Sequence, residues 1–313
     1  MSLLHEIWSQ TISENLYQNN EFMKKATDHS MWVQYKTVHV PQAGAKPTVE
    51  KNRALLPASI GQRSDSELTY SLNQYTTDPI LITNIEELQV SYQKRTSVLF
   101  NIMQQLQFVV STQTLYTWAP SGASRIVRTS GSTSTLNLPH STATGSRKML
   151  TLADITAARQ ILDADYVPQE GRILLIPSYM YNVDLLNIAG VIQAQQYGSP
   201  VLPSGVVARV AGFDIMVRPD VLVYDNTATP VIQTISGDGS ITTPATSDNG
   251  AALAFHPNFV AHALGAITPY YNAGSSGAGL PEYYGSIFSA EVMHGATLLY
   301  SSQKGVVALV QSA

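Results

Sequence analysis

Histidine, aspartate and cysteine are residue types that bind metals or carry out acid–base and nucleophilic chemistry. The sequence contains no cysteine, which excludes disulfides, thiolate metal sites and a cysteine nucleophile. Its seven histidines are scattered, and His256 and His262 are spaced for different faces of a helix. Asp163 and Asp165 lie at a predicted helix end, where aspartate is common, and no catalytic or phosphate-binding motif is present. We therefore expect no enzyme, with no catalytic, cofactor-binding or metal-binding residues.

A group of basic side chains is a candidate for contacts with other molecules. It lies in the polar segment 43–65, which is rich in proline and glycine, and consists of Lys46, Lys51, Arg53 and Arg63. These residues could bind acidic groups of a neighbouring subunit or of DNA, or they could be solvated at a loop tip. A net charge of −4 and a pI near 5.9 argue against a generally basic face for nucleic acid.

Aromatic side chains near the N-terminus are the second candidate group. Residues 1–30 are polar with scattered apolar residues, too few to form a core of their own, and they lack the pattern of a signal peptide. Trp8 and Phe22 would be costly to leave in water. We therefore expect this stretch to be an arm that packs on another surface.

The longest predicted element of the scaffold that carries the basic and aromatic candidates is a helix from Asn84 to Trp118. The stretch contains no proline or glycine, and its apolar residues form one stripe at helical spacing. Asn84 and Glu87 have the spacing of a capping box, and Pro120 ends the helix. A helix of roughly 30 residues is on the order of 45 Å long. It could be the core helix of an ordinary domain or a spine that spans a flat subunit.

Strand-like stretches precede and follow this helix. Residues 31–40 and 68–82 predict two strands joined by 43–65, which is a long excursion that needs a surface to lie on. After the helix come a Ser/Thr/Gly-rich stretch and a second helix at 152–164 capped by Thr151. A compact α/β region begins near Tyr166. Its predicted elements include a strand at 172–176, strands around Gly212, a hairpin turned at Asp238-Gly239, a helix beginning at Pro257 and closing strands at 284–293, 296–300 and 306–310.

Composition is compatible with a subunit whose surface is covered by neighbours. Charged residues make up 13% of the 313 residues, roughly half of the usual share, and 44% are hydrophobic. Burial of much of the surface in an assembly would explain this, although a monomer with a polar, uncharged surface would as well. No apolar run reaches the ~18 residues needed to cross a bilayer, so we expect no membrane contact and a cytoplasmic site of synthesis.

Three stretches, taken with the order of elements, carry a family resemblance. The stretches are Ile161-Leu162-Asp163 with Val167 to Arg172 and the strand into Pro177; Gly205 through Gly212-Phe213 with Ile215 and Val217; and Ala254 to Pro257 with Lys304-Gly305-Val306. In this order they resemble the major capsid protein of tailed bacteriophages, with the Hong Kong ninety-seven-type shell fold. The resemblance implies an α+β fold organised in the family's parts. These parts are an N-terminal arm (1–32), an extended two-stranded loop (33–82), a peripheral domain with the spine helix (83–165), an axial domain (166–284) and C-terminal strands that return to the peripheral domain (285–313).

The resemblance also implies a function and a set of partners. The subunit would self-assemble as hexamers and pentamers into an icosahedral or prolate shell around the double-stranded DNA of a tailed phage. It would use a separate scaffolding protein or none, without proteolytic trimming, together with a portal and a cementing protein. Assembly would take place in the bacterial cytoplasm, and the protein would end in the virion. Intersubunit contacts are expected at Trp8, Phe22, Lys46, Lys51, Arg53 and Arg63.

Two alternatives remain open from the sequence. The first is an encapsulin, in which the same fold forms a bacterial compartment that holds enzyme cargo. The second is a hydrolase or ligand-binding domain with a long core helix. Protein cargo without DNA would favour the encapsulin, and a compact monomer with a ligand-binding cleft would favour the enzyme.

Overall fold

The computed structural model describes residues 21–44, 46, 48–53, 60–83, 93–188, 208–272 and 285–313. Within them the chain is a mixed α+β protein. Its helices are α1 (Glu21–Lys25), α2 (Gln93–Trp118), α3 (Leu152–Ala164) and α4 (Ser178–Val183). Short 3-10 turns lie at Ser30–Trp32, Ala123–Arg125, Leu185–Asn187 and Pro257–Phe259.

The strands fall into four sheets. The strands that precede α3 are β1 (Thr27–Asp28), β2 (Val33–Gln34), β3 (Thr37–Gln42), β4 (Ser66–Ser71), β5 (Asn73–Thr76), β6 (Ile80–Thr83), β7 (Ile126–Arg128), β8 (Thr133–Ser134) and β9 (Arg147–Lys148). The strands that follow are β10 (Ile173–Pro177), β11 (Ala208–Val210), β12 (Phe213–Arg218), β13 (Leu222–Tyr224), β14 (Asn249–Phe255), β15 (Val260–Asn272), β16 (Gly285–Leu298) and β17 (Val306–Val310).

A seven-stranded sheet forms the centre of the main core. Its order is β11-β12-β10-β14-β17-β7, and β13 pairs with β14. Strands β10 and β17 are apolar throughout, β14 is apolar after Asn249, and all three are buried on both faces, which explains why their sequences show no polar alternation. One face packs on the end of α2 around Leu115 and Trp118. The other face packs on α3 around Ile155 and Leu162, so the sheet is covered by a helix on each side.

A five-stranded sheet packs against an earlier part of the long helix α2. The long antiparallel pair β15–β16 is its backbone, with β1 on one side and β5 and β6 on the other. Ile102 and Leu106 of α2 are buried against Ala290 and Val292 of β16. Helix α2 therefore bridges the two large sheets, as a spine would. The indole N–H of Trp118 donates to the carbonyl of Ala261 over 3.2 Å and fixes the end of the helix to β15.

Several predicted elements are confirmed. Helix α2 ends at Trp118, and its predicted start at Asn84 lies outside the described residues. Helix α3 has the predicted Thr151 cap, whose hydroxyl accepts the Asp154 N–H over 3.3 Å while the Asp154 carboxylate accepts the Thr151 N–H over 2.9 Å. This capping box satisfies two backbone donors that the helix itself leaves free.

Two predictions near the C-terminus are wrong. The helix predicted from Pro257 is a single 3-10 turn, after which β15 runs for 13 residues along β16. The two strands predicted at 284–293 and 296–300 are the one strand β16. Gly295 is not a break in that strand but a place of close approach, because a Cβ there would lie 2.9 Å from the carbonyl oxygen of Ser71.

The domain boundaries expected from the resemblance remain predictions. Strand β17, from residues 285–313, lies between β14 of the expected axial domain and β7 of the expected peripheral domain. Strand β15, from residues 166–284, pairs with β16, from residues 285–313, in the five-stranded sheet. Strand pairing joins these parts of the chain, and no local sequence signal reports it.

Candidate assembly surfaces

The extended loop begins as a regular hairpin. Strands β3 and β4 pair from Thr37↔Ser71 to Gln42↔Ser66, and the segment 43–65 leaves the sheet beyond that point. Lys46 and Lys51 are exposed on the described part of the segment. The same segment exposes Val49 and Ile60 almost fully, so apolar as well as basic side chains are available there.

Two of the four basic residues in this segment have acidic partners within it. Arg53 lies 3.2 Å from Glu50, and Arg63 lies 2.6 Å from Asp65. The Arg63 guanidinium, with the N–H of Gly44, lowers the pKa of the Asp65 carboxyl. Local pairing of this kind leaves Lys46 and Lys51 as the basic positions most suited to a partner, which weakens the case for DNA.

The two aromatic candidates near the N-terminus have different outcomes. Trp8 lies outside the described residues. Phe22 is 3% exposed and packs edge-on against Trp118 with ring centroids 6.0 Å apart. The Arg218 guanidinium lies 5.7 Å from the Phe22 ring centroid. Phe22 is therefore a core residue of its own subunit and is not among the contacts proposed below, which corrects the expectation from the sequence.

A cluster of three buried histidines joins the N-terminal segment, the extended loop and the long sheet. Strand β1 pairs with β15 and sets Asp28 opposite His262. The rings of His262 and His294 stack with centroids 5.8 Å apart. His29 lies beside them, with its Nδ1 3.3 Å from the hydroxyl oxygen of Tyr70 in β4. We call His29, His262 and His294 the histidine cluster.

Burial keeps the histidine cluster neutral. Desolvation lowers the pKa of all three imidazoles, and it lowers the pKa of His294 to about 3. The carboxylate of Asp28 opposes this effect at each ring, but it is a smaller influence than burial. Sequence reasoning missed the cluster because strand pairing alone brings the three residues together. In the described part of the chain, no group of three or more His, Asp or Glu side chains is placed to hold a metal.

The adjacent carboxylates Asp163 and Asp165 form structural ion pairs. Asp163 accepts from the buried guanidinium of Arg172 over 2.6 Å, and Arg172 also donates to the carbonyls of Val167 and Pro168. Asp165 accepts from both terminal nitrogens of Arg125, one of them over 3.0 Å. These hydrogen bonds hold the turn from Asp163 to Arg172, which joins α3 to β10.

The Ser/Thr-rich hairpin near Asp238 lies on the long helix. Gln113 of α2 donates to the carbonyl of Ser236 over 2.9 Å. Gly239, at φ +83°, comes so near the helix that a Cβ there would be 3.4 Å from the Phe108 ring. Hydrogen bonds from Ser236 and Ser240 lower the pKa of Asp238 to about 2. The hairpin is therefore held to its own subunit.

The 3-10 turn Ser30–Trp32 and the turn between β2 and β3 together present three large apolar side chains to solvent. Met31 is 94% exposed, Trp32 is 51% exposed and Tyr35 is fully exposed. We call these three residues the aromatic tip. A groove of about 580 Å³ lies elsewhere on the subunit, between α2 and the end of β12, and its lining includes Phe108, Met216 and Arg218. Both are surfaces that a partner could cover. Across the described residues, no helix is long and apolar enough to span a membrane.

Comparison with known proteins gives matches among solved structures. No protein-family model and no curated protein matches the chain. The capsid of cyanophage P-SCSP1u is 15% identical with a TM-score of 0.60, covering 91% of this chain and 86% of that chain. The capsid of Ralstonia phage GP4 is 10% identical with a TM-score of 0.60, covering 92% and 87%. A virus-like particle from Pyrococcus furiosus is 9% identical with a TM-score of 0.54, covering 98% and 99%.

At these identities the comparisons show the fold. The chain has the α+β fold of the phage capsid structures over nearly its whole length. The fold expected from the sequence resemblance is confirmed.

Proposed function

We propose that this chain is the major capsid protein of a tailed bacteriophage, a structural protein that assembles into a shell around double-stranded DNA. The observation that carries the proposal is the match to phage capsid structures over more than nine-tenths of the chain. A fold can serve many functions, so a capsid role also requires surface features of this chain that are suited to assembly.

The surface supplies such features. Only 13% of residues are charged, which suits a surface that neighbours cover. The segment 43–65 joins the paired strands β3 and β4, and its described residues Val49 and Ile60 are almost fully exposed. Exposed apolar side chains on a long loop are suited to lying across another subunit, as obligate assemblies require.

The proposal extends to partners and location. We infer hexamers and pentamers of this chain, contacts from Lys46, Lys51, Arg53 and Arg63 to neighbouring subunits, and an arm that includes Trp8. A separate scaffolding protein, a portal and a cementing protein would complete the particle, which would assemble in the bacterial cytoplasm. DNA would be enclosed without sequence-specific contacts, in line with the net charge of −4.

A compartment shell is the second candidate. The virus-like particle from Pyrococcus furiosus matches over nearly the full length of both chains, which shows the shared fold but does not favour a compartment over a phage shell. We prefer the phage role because the long polar loop and the Ser/Thr-rich insertions suit a phage shell better.

The test is light scattering and negative-stain electron microscopy of the purified protein near physiological salt. Rings, mixtures of hexamers and pentamers or closed shells are the expected result. A monomer that persists at high concentration with a crowding agent and scaffold would contradict the proposal. Nuclease-protected double-stranded DNA in native particles would then support the phage role, whereas protein cargo without DNA would support the compartment.

A further inference from the structure

The aromatic tip is the densest group of exposed large hydrophobic residues on the described surface. Met31, Trp32 and Tyr35 fall within five residues, and no other described stretch of that length exposes three such side chains. Single exposed hydrophobic residues are ordinary on soluble proteins, but contiguous ones mark interaction sites.

The backbone at Tyr35 places its side chain at the end of a tight hairpin. Gln34 and Thr37 pair across a two-residue turn, and Tyr35, the first residue of that turn, has φ of +57°. Two-residue hairpin turns require positive φ at this position and usually have Gly, Asn or Asp there. The fully exposed tyrosine gains no packing within the subunit.

The tip is also held rigidly by its own subunit. One face of the Trp32 ring stacks on the buried His29 ring, with centroids 4.9 Å apart and planes at 23°. Beside Tyr35, the carbonyl of Lys36 accepts the N–H of Leu72 over 2.8 Å. A preorganised aromatic surface loses little conformational entropy when a partner covers it.

We propose that the aromatic tip is an intersubunit contact, in which Trp32 and Tyr35 are buried against a neighbouring copy of this chain. This inference rests on the proposed function, which supplies many identical copies at close range. DNA is a poor partner for the tip because Lys36 is the only cation among residues 31–36. A second copy offers a groove beside α2 in which the exposed Phe108 ring lies near the polar Gln104, and an aromatic side chain with a polar end, such as Tyr35, suits both.

The experiment compares Tyr35→Gly with Tyr166→Gly. Tyr166 is a matched control because it is 94% exposed, has φ of +59° and stands alone among exposed hydrophobic residues in its stretch. Two quantities are measured: the urea midpoint of the unassembled subunit and the protein concentration at which shells appear by light scattering. Both variants should keep or raise the urea midpoint, because glycine relieves the left-handed backbone.

Only Tyr35→Gly should impair assembly. We expect the threshold concentration to rise about tenfold, as the loss of one large buried apolar side chain per contact implies. The control should assemble at the wild-type concentration. Wild-type shells together with an unchanged threshold for Tyr35→Gly would overturn the contact and leave the proposed function intact. If the wild type forms no shells even with a crowding agent and scaffold, the proposed function fails and the contact fails with it.

A cross-linking measurement identifies the partner. Because the chain has no cysteine, Tyr35→Cys provides a unique site for a thiol-reactive benzophenone label. Irradiation of labelled particles should yield covalent dimers of this chain, identified by mass spectrometry. Cross-links solely to a scaffolding protein or DNA, or no cross-links in assembled particles, would overturn the proposal.

Discussion

The buried imidazole of His294 predicts that the subunit loses stability in mild acid. Its side chain is 1% exposed, and its Nε2 has no hydrogen-bond partner among the described residues. Burial lowers its pKa from 6.5 to about 3, with the nearby His262 acting in the same direction and Asp28 opposing them. The unfolded chain therefore binds a proton that the folded chain excludes.

The sign and size of this change in the free energy of unfolding follow from proton linkage. Above about pH 6.5 both states are neutral at this residue and the effect is absent. As the pH falls, the unfolded state gains the proton first, so the free energy of unfolding decreases until the folded pKa is reached. For a shift from 6.5 to about 3, the loss at about pH 5 is about 2 kcal/mol.

His294→Leu isolates this contribution. Leucine has a similar volume and cannot titrate, and it replaces a buried polar atom without a partner, so we expect little change near pH 7.5. Between about pH 7.5 and about pH 5, the wild type should lose about 2 kcal/mol more than the variant. Urea unfolding of the unassembled subunit, followed by tryptophan fluorescence, measures both values.

Met293→Leu is the control, because Met293 is the neighbour of His294 in β16 and carries no titratable group. It should keep the wild-type difference between the two pH values. The reasoning is refuted if wild type and His294→Leu lose the same free energy between the two pH values.

Three further predictions concern the loop, a turn and a buried acid. Replacing 43–65 with Asn-Gly should leave the subunit folded but unable to close shells, because Gln42 and Ser66 are already paired for a two-residue turn; an aggregated, unfolded product in gel filtration would contradict this. Gly305→Ala should lower the free energy of unfolding by about 2–4 kcal/mol, because its φ is +80° and a Cβ there would overlap the Phe259 ring. In the same urea assay, Gly171→Ala should lower the free energy of unfolding by only about 1 kcal/mol, because its φ is +74° but a Cβ there would lie in open space. Between about pH 4 and about pH 8, the wild type should lose about 1–3 kcal/mol of unfolding free energy that Asp184→Asn keeps, because burial raises the pKa of Asp184 to about 6 and the ionised form opposes folding. The amide replaces one of the two oxygens that accept from Asn137 and Leu150, so the two pH values are compared within each protein. Equal losses in variant and wild type would contradict this.

Part of this structure was determined by interactions between residues close together in the sequence. The Thr151 cap, the bounds of α3 at 152 and 164 and the end of α2 near Pro120 were predicted correctly. Helix signals of this kind lie within a few residues, because caps and i, i+4 contacts are local. The α+β order of elements was readable for the same reason.

The antiparallel pair β15–β16 was predicted wrongly from local sequence patterns. Residues 257–263 have a helix-like pattern, yet Val260–Asn272 is a strand paired with β16. Gly295 looked like a strand end because its role, a close approach to Ser71, involves a residue more than two hundred positions away. Tertiary pairing overrides weak local preference in such segments.

Some features of the candidate surfaces could be predicted from the sequence, and others depend on the tertiary structure. The basic residues of 43–65 and the low charge content could be taken from the sequence alone. The burial of Phe22, the histidine cluster and the aromatic tip could not, because each depends on which distant segments meet. Whether an aromatic side chain faces the core or the solvent is decided by the packing of the whole subunit, and that packing is a long-range property.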